Sequence, residues 1–596
     1  MKTYSFEHVN LTSGYLFDKQ EMNRTVTVQS VYDRFAETGR IKAFDFDYKE
    51  GDEIKPHIFW DSDMAKWSES VAYILEKHCD ADLEAKVDAL VEKIKKHQCE
   101  DGYFNIYFTV VKPEERWSDR RKHELYCAGH LIEAAVAYSK ATGKNDLLTC
   151  MEKYVDYIYK VFVEENSAAF RTPGHQEIEL ALVKLYAHTG KEKYLKLAEH
   201  FLNLRGAVEE QKNHEYSQSH LPVREQEEAV GHSVRALYMY TGMATVAAQN
   251  GDQTLVDACH KLWENVTKKK MYVTGGVGSF YVDECFTEAY DLPNETAYTE
   301  TCAAIALIFF GHAMLAFDHD RKYGDTLERV LYNGVLSGLS NNGKAFFYEN
   351  PLEINLASHF EGRHGPRRLP ITQRKECFDV SCCPPNVSRL LATLGNYVYG
   401  QDGDALYINQ YVASNLDDGT VRCEMTTSYP NDGAIRVCAE GAKFVALRIP
   451  AWCDNFALNK AYRMEKGYAI VENDGTEILL NLDMTPKAVW SNSHVWENAG
   501  RLCIMRGPVV YCAEGVDNGA DLHSFIVPSN FTYRESLDET FGLYDLEIDC
   551  LKRVPFEDAL YASRAPKVES ATLKLIPYNA FANRGESDMR VWFCAQ

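Results

Sequence analysis

The sequence predicts two architectures in one chain: an (α/α)6 barrel over residues 1–400 and β-sandwich structure after it. Three observations indicate this fold class. Apolar residues recur at helical spacing through the first part of the chain. Helix pairs repeat there at intervals typical of closed or solenoidal arrays. From about residue 400, short β-type runs separated by turn signals take over.

Helical periodicity is clear in nine segments and weaker in three more. The clear segments are 64–78, 123–142, 147–163, 175–189, 192–204, 229–249, 253–268, 295–317 and 322–338, and the weaker ones lie near 26–38, 82–98 and 386–396. Twelve helices arranged in six hairpins would close an (α/α)6 barrel. An open helical solenoid is the competing architecture.

Three of these helices share a histidine near the start and a glycine after the last turn, where a left-handed C-cap favours glycine. The pairs are His130 with Gly143, His175 with Gly190 and His232 with Gly251. This register predicts that the three imidazoles converge at one mouth of the barrel, where they can both donate hydrogen bonds to hydroxyls and accept them. Capping or core packing is the alternative for any single histidine.

The last third of the chain has the pattern of β-sandwich structure. Its β-type runs lie at 406–411, 444–449 and 478–482, with turn signals at 417–419 and 431–433. We expect one sandwich over 401–510 and, over 511–596, either a second sandwich or a continuation of the first. Because no low-complexity linker precedes residue 400, we expect barrel and sandwich to pack tightly.

The charge balance excludes several partner classes. The chain has 64 lysines and arginines against 87 aspartates and glutamates, a formal net charge of -23. Such a balance repels phosphate backbones and anionic surfaces, so neither nucleic acid nor a membrane is an expected partner. The N-terminal segment lacks the apolar stretch of a secretion signal. We therefore expect a cytoplasmic protein whose 17 cysteines stay reduced.

Two adjacent thiols, Cys382 and Cys383, stand before a pair of prolines and form the sharpest local motif. Such a pair can form a strained disulfide, pack as two unrelated buried thiols, or bind a metal. Glu300 and Cys302 add a carboxylate and a thiol, provided that both lie in the irregular first turn of their helix. Four sulfur and oxygen donors favour Zn²⁺ over Mg²⁺ or Ca²⁺.

A metal-bound cysteine is a thiolate at neutral pH, which makes it a possible nucleophile. The segment 283–286 could supply a carboxylic acid next to it. Retaining glycoside hydrolysis needs one acid/base and one nucleophile, and a thiolate could replace the usual nucleophilic carboxylate. The glycine-rich stretch at 274–279 lacks the Lys-Ser/Thr ending of a phosphate loop, so we interpret it as a turn.

These residues and further segments resemble glycoside hydrolase family 127, the β-L-arabinofuranosidases. The matching segments are 23–25, 98–103, 128–134, 291–302, 331–334, 382–386 and 447–450, together with the context of Glu284. They cover nearly the whole chain in consistent order.

The resemblance implies a fold, a cofactor and a reaction. The family fold is an (α/α)6 barrel followed by β-sandwich domains. Its Zn²⁺ ligands map onto Glu300, Cys302, Cys382 and Cys383, its nucleophile onto Cys382 and its acid/base onto Glu284. We therefore expect a retaining enzyme that removes terminal arabinofuranose from small oligosaccharides or glycoconjugates, and we expect a homodimer.

The resemblance also implies substrate-binding residues. His130, His175 and His232 match family positions that contact the sugar, and Tyr348 matches a tyrosine near the nucleophile. Glu328 matches a family glutamate, with a solvated helix surface as the alternative.

Three other functions compete with this one. A related glycosidase could act on another unusual sugar, such as an acidic branched sugar of pectin. The same barrel also serves unsaturated uronyl hydrolases and lyases, which need no zinc–thiolate set. Finally, the chain could be a sugar-binding protein with structural zinc, because a closed site of four protein ligands is the usual structural pattern.

Overall fold

The computed structural model describes residues 2–208, 214–359 and 369–596, and within them six inner helices are surrounded by six outer ones. The outer helices are α1 Tyr15–Met22, which continues through the π-turn Asn23–Thr27 into α2 Val28–Glu37, then α4 Ala81–His97, α6 Asp146–Tyr159, α8 Glu192–Leu204, α10 Gln253–Asn265 and α12 Arg321–Arg329. The inner helices are α3 Trp60–Leu75, α5 Glu124–Thr142, α7 Ile178–Thr189, α9 Ser233–Asn250, α11 Thr301–Met314 and α13 Cys383–Ala392.

The inner helices form a closed ring. Each packs against the next one in chain order, and α13 packs against α3. The (α/α)6 barrel is therefore confirmed, and the open solenoid is wrong. The sequence explains the two layers: α11 is apolar on every face, so it must be buried on all sides. Outer helices such as α10 have one apolar stripe, which faces the inner ring.

The predicted glycine C-caps are present at the ends of three inner helices. Gly143, Gly190 and Gly251 follow α5, α7 and α9 with φ angles of 72°, 69° and 73°. Each donates its backbone N–H to a carbonyl of the last turn. Only a residue without Cβ adopts this left-handed conformation at no steric cost.

Three sheets make up the β-rich part. The first has six strands in the order Lys2–Thr3, Tyr399–Asp402, Ala405–Ile408, Phe444–Arg448, Tyr468–Glu472 and Tyr462–Glu465. The second has six in the order Phe456–Leu458, Ile478–Leu482, Ala434–Glu440, Arg422–Thr427, Ser414–Asp417 and Val9–Leu11. Buried and exposed residues alternate along Ser414–Asp417 and Ile478–Leu482, so one face of the second sheet packs on the core.

The third sheet has ten strands in the described ranges, and most of them come from the C-terminal part of the chain. Its order is Lys487–Val489, Arg501–Arg506, Phe593–Ala595, Phe525–Val527, Leu543–Arg553, Val568–Pro577, Val509–Glu514, Met589–Arg590 and Glu353–Ile354, with Tyr533–Asp538 paired to Leu543–Arg553. Strands from the N-terminus and from residues 353–354 thus join sheets formed mainly by the last third. The domain limits at 400 and 510 stay predictions.

Glu328 lies at the junction between barrel and sheets. Its buried carboxylate accepts hydrogen bonds from Arg448 Nη2 at 2.6 Å, Tyr429 Oη at 2.6 Å and Trp452 Nε1 at 3.0 Å. Every strong acceptor position of this carboxylate is therefore used within the protein. The prediction that Glu328 contacts a sugar needs correction: its partners make it a buried anchor of the sheet on the barrel.

None of the helices in the described ranges has the length and apolar character needed to cross a membrane.

Candidate active site

The inner helices of the barrel all begin at the same mouth. Their N-cap residues are Phe59, His123, Glu177, His232, Glu300 and Cys382. Ring contacts between Phe59 and His123, and sulfur–carboxylate contacts between Cys382 and Glu300, connect neighbouring helix starts. Helix N-termini carry partial positive charge, so their convergence favours anionic groups at this mouth.

Three thiols and one carboxylate gather there, as the sequence predicts. Cys302 Sγ lies 3.3 Å from Cys383 Sγ and 3.5 Å from Cys382 Sγ. Glu300 Oε1 lies 3.6 Å from Cys382 Sγ and 3.8 Å from Cys383 Sγ. Glu300 is the N-cap and Cys302 the second residue of α11, so the irregular first turn allows both side chains to converge. Cys382 and Cys383 are both free thiols, which excludes the vicinal disulfide.

The donor set fits a soft divalent cation. Glu300 Oε2 is buried and has no hydrogen-bond partner, so one oxygen of the cluster is left for a ligand. Burial raises the pKa of the Cys302 thiol, but hydrogen bonds with Cys382 and Cys383 outweigh this effect and lower it to about 6. Three cysteines and one glutamate within 4.8 Å of one another can hold a metal in a four-coordinate site.

Cys382 differs from the other two thiols because it is partly exposed, whereas Cys302 and Cys383 are buried. The hydroxyl of Tyr348 shares a hydrogen bond with Cys382 Sγ at 3.1 Å. Hydrogen bonding to Cys302, together with burial, raises the pKa of the Cys382 thiol well above its usual range. Cys382 is thus the accessible thiol, and it needs a cation to ionise at neutral pH.

Glu284 faces the same mouth from a strained turn. Both Asp283 and Glu284 have positive φ, at 57° and 53°, which costs energy for residues other than glycine. Ser233 Oγ donates to the Glu284 carbonyl and thereby ties the turn to the start of α9. One oxygen of the Glu284 carboxylate accepts a hydrogen bond from Tyr298 Oη at 2.8 Å, and the other oxygen lies 2.8 Å from His232 Nε2.

Those two donors keep Glu284 ionised. Burial raises the pKa of its carboxyl, but the hydrogen bonds from His232 and Tyr298 outweigh burial and lower it to about 2. The carboxylates of Glu284 and Glu300 and the His232 ring approach within 4.8 Å of one another. Because Glu300 also contacts Cys382 at 3.6 Å, Glu284 and Cys382 are both neighbours of Glu300 at this mouth.

A row of histidines forms another wall of the mouth. The ring centroids of His123 and His175 are 5.8 Å apart, and those of His175 and His232 are 5.5 Å apart. Burial lowers the pKa of all three imidazoles, so they are neutral at pH 7 and can both donate and accept hydrogen bonds. The structure therefore brings His175 and His232 together as predicted, with His123 as the third member.

His130 does not belong to this row. Helix α5 begins at Glu124 with His123 as its N-cap, so His130 lies about two turns below the mouth. It is fully buried, with Nδ1 3.1 Å from Glu177 Oε1 and 3.4 Å from Glu133 Oε2. The structure thus places His123, and not His130, in the histidine row at the mouth, so the predicted placement of His130 is corrected, whereas the sugar contact itself stays a prediction. The spacing to the C-cap glycine could have identified His123. His123 stands 20 residues before Gly143, and His232 stands 19 residues before Gly251.

Sequence reasoning also missed two tyrosines and one arginine. Tyr298 bonds Glu284, and Tyr126 packs 4.3 Å from the His175 ring. Arg235 donates to the Gly174 carbonyl at 2.7 Å and so holds the loop that carries His175. Tyr298 could have been found, because it stands two residues before the metal-ligand candidate Glu300 in the sequence.

Comparison with known families identifies the chain. Residues 8–396 match the model of the β-L-arabinofuranosidase GH127 catalytic domain, and residues 486–594 match the glycoside hydrolase family 127 C-terminal domain. The chain belongs to glycoside hydrolase family 127. The predicted family and the predicted enzyme class, a glycoside hydrolase acting on a carbohydrate, are confirmed.

Relatives of this family 127 enzyme cover nearly its whole length. It is 35% identical to a non-reducing end β-L-arabinofuranosidase of Bifidobacterium longum subsp. longum, over 91% of this chain and 90% of that one. A GH127 β-L-arabinofuranosidase from Geobacillus stearothermophilus T6 has a similar structure, with 40% identity, a TM-score of 0.91 and coverage of 99% and 100%. A second solved GH127 β-arabinofuranosidase gives 33% identity, a TM-score of 0.90 and coverage of 100% and 98%.

Proposed function

We propose that this family 127 enzyme is a retaining exo-β-L-arabinofuranosidase that uses Cys382 as nucleophile and Glu284 as acid/base. The observation that carries the proposal is that a partly exposed thiol, Cys382, and the Glu284 carboxylate both lie next to Glu300 at the mouth of the barrel. Retaining hydrolysis needs this pair on two sides of the anomeric carbon. The names of the relatives support arabinofuranose as the sugar.

We propose Zn²⁺ as the metal, with Glu300, Cys302, Cys382 and Cys383 as its ligands. Three thiolates and a carboxylate are donors that zinc prefers to magnesium or calcium. When bound, zinc supplies the positive charge that keeps these thiols ionised at neutral pH. This charge would offset the hydrogen bonding to Cys302 and the burial, which otherwise raise the pKa of the Cys382 thiol.

In the first half of the reaction, Cys382 Sγ attacks the anomeric carbon and forms a carbon–sulfur bond. The bond from that carbon to the leaving oxygen breaks, and Glu284 gives a proton to this oxygen. Because His232 and Tyr298 keep Glu284 ionised in the free protein, its carboxylate must first take up this proton in the substrate complex. The hydroxyl of Tyr348 stays within hydrogen-bond distance of the sulfur, at 3.1 Å, and holds it on the line of attack. The product is a glycosyl thioether on Cys382 and a free aglycone.

In the second half, Glu284 takes a proton from a water molecule, whose oxygen attacks the same carbon. The carbon–sulfur bond breaks, and its electron pair returns to Cys382 as thiolate. Two inversions leave the sugar with its original configuration. Glu284 ends the cycle protonated, and it is ready for the next leaving group.

The histidine row suits a neutral sugar. His123, His175 and His232 are neutral, so each can bond hydroxyls as donor or acceptor without the cost of burying an unpaired charge. This favours a pentofuranose over an acidic sugar. Cytoplasmic location and homodimeric assembly stay predictions.

The test follows hydrolysis of aryl β-L-arabinofuranoside by NMR, with the α-L anomer as the control substrate. We expect turnover of the β-L substrate, β-arabinofuranose as the first product, and loss of turnover in Cys382→Ala and Glu284→Gln. A first product of α configuration would overturn the double displacement. Full activity in Cys382→Ala would overturn the nucleophile, and inactivity on the β-L substrate with turnover of another glycoside would overturn the sugar.

A further inference from the structure

Lys66 is a buried lysine with no acceptor. It lies on α3, seven residues after the N-cap Phe59, and thus about 10 Å below the mouth of the barrel. Its side chain is fully buried, and its ammonium has neither a hydrogen-bond partner nor an ion pair among the residues that the structure describes. Its closest recorded contact is the ring of Tyr126, with Nζ 4.9 Å from the centroid.

A buried charge of this kind is costly unless an opposite charge compensates it. Asp61, also on α3, has no ion pair among the described residues, and burial raises the pKa of its carboxyl to about 7. Three other carboxylates of the region have cations of their own. Asp63, one turn above on α3, pairs with Arg40 at 2.8 Å. Deeper in the barrel, Glu69 and Glu133 both accept hydrogen bonds from Arg389 at 2.8 Å.

The layer around Arg389 is neutral as a whole. Its two carboxylates, Glu69 and Glu133, face two cations, because Lys184 pairs with Glu133 and lies 3.6 Å from Glu69. Burial, and after it the charge of Glu133, raises the pKa of the third carboxyl, Glu177. None of these three carboxyls forms a hydrogen bond or an ion pair with Lys66 among the described residues.

The thiol–carboxylate cluster lies at the start of α13, which packs against α3, the helix of Lys66. Ser70, one turn further along α3, donates to the Pro385 carbonyl at 3.4 Å, three residues after Cys382. Tyr126, on which the ammonium rests, packs against His175 of the histidine row. A divalent cation held by three thiolates and one carboxylate has a net charge of about -2, because four negative charges face two positive ones.

We propose that Lys66 is the counter-charge of the metal–thiolate cluster, a positioning residue that stabilises the loaded site through its charge. The inference rests on the metal site proposed above. This role explains why the barrel contains an unpaired ammonium. The buried charge destabilises the metal-free protein, and it stabilises the metal-loaded protein because the cluster is then anionic.

The stability of the metal-free protein and the zinc affinity should therefore respond to Lys66→Met in opposite directions. Methionine fills a similar volume without charge, so the metal-free protein loses only an unpaired buried ion, and its Tm should stay or rise. The loaded site loses its counter-charge, and Zn²⁺ affinity should fall at least about tenfold, as is usual for residues that support metal ligands. A purely structural lysine would lower the Tm and leave zinc affinity unchanged.

Lys184→Met is the matched control. Lys184 is a barrel lysine too, but it pairs with Glu133 in the neutral layer. Its removal leaves two buried carboxylates, Glu69 and Glu133, with Arg389 as their one shared cation, so we expect a lower Tm of the metal-free protein and nearly unchanged zinc affinity.

The experiment measures Zn²⁺ affinity by chelator competition, the Tm of reduced metal-free protein, and the cysteine-to-cobalt charge-transfer band of Co²⁺-loaded protein. Weaker zinc binding with an unchanged or higher Tm, and a shifted band, are expected for Lys66→Met and again for Lys66→Gln, whereas Lys66→Arg should retain affinity. Unchanged zinc affinity in both neutral variants would overturn the inference, and so would loss of affinity accompanied by a Tm decrease like that of Lys184→Met. Wild-type protein that binds no metal would instead overturn the proposed zinc site, and the inference with it.

Discussion

The hydroxyl of Tyr348 lies 3.1 Å from the sulfur of Cys382. A second tyrosine, Tyr298, donates to the carboxylate of Glu284 at 2.8 Å, and the two rings are 6.3 Å apart. Each proposed catalytic group thus has a hydrogen bond with one of two neighbouring tyrosines. The tyrosine pair restricts the rotation of both the sulfur and the carboxylate, the latter together with His232.

Tyr348→Phe should lower kcat by about 10- to 100-fold. A hydrogen bond to a charged group contributes about 1.5–3 kcal/mol, and the sulfur carries most of its charge before attack. Steady-state kinetics on the aryl arabinofuranoside, with zinc content measured in parallel, checks this. Wild-type kcat in a variant with full zinc would show that the hydroxyl does not act on Cys382.

Removal of the metal should abolish activity and lower the Tm. Without a cation, the buried thiols and Glu300 lose the charge that holds them together, so the mouth loosens. Cys383→Ser should weaken zinc binding. Added Zn²⁺ should restore the activity and the Tm of wild-type protein from which a chelator has removed the metal. Cys377→Ser is the control, because this partly exposed cysteine contacts Ser381 but lies outside the cluster. Retained activity after complete chelation would contradict a catalytic role for the metal.

His232→Asn should move the alkaline limb of the kcat/KM profile to higher pH. In the free protein, the hydrogen bond from His232 stabilises ionised Glu284 and helps to lower its pKa to about 2, against the effect of burial. Without that donor the pKa rises, so the acid stays protonated at higher pH. Tyr298→Phe removes the other donor and should shift the limb in the same direction. A shift to lower pH in either variant would contradict the assignment of Glu284 as the acid.

Glu328→Gln should destabilise the protein by about 3–5 kcal/mol and leave KM near its wild-type value. The substitution leaves Arg448, fully buried, with one carboxylate partner, Asp325, instead of two at the junction of barrel and sheets. Thermal and denaturant unfolding measure the loss. Glu227→Gln, which breaks an exposed pair with Lys261, serves as the control and should cost less than about 1 kcal/mol. A large increase in KM would instead support the original sugar-binding assignment of Glu328.

The contrast between Cys382 and Glu328 shows what a sequence can predict. The metal-ligand candidates were found because their chemistry is encoded locally, in residue type and spacing at two helix starts. Glu328 was misassigned because its role depends on Arg448, 120 positions away in the chain, and no local pattern reveals that partner. The predicted segment 123–142 gave the start of α5 to within one residue, and the difference lay in the choice of His130 rather than His123 as the histidine near that start. Almost every face of this helix is buried, so burial periodicity does not distinguish the two.

The corrected histidine yields a direct comparison between His123→Ala and His130→Ala. His123 is at the mouth beside His175, so its loss removes a hydrogen bond to the sugar and should lower kcat/KM by about tenfold, at nearly unchanged Tm. His130 is buried between Glu133 and Glu177, so its loss should lower the Tm and change KM little. Kinetics and thermal unfolding of both variants, compared with wild type, decide the matter. If His130→Ala raised KM while His123→Ala did not, His130 and not His123 would be the histidine that contacts the sugar.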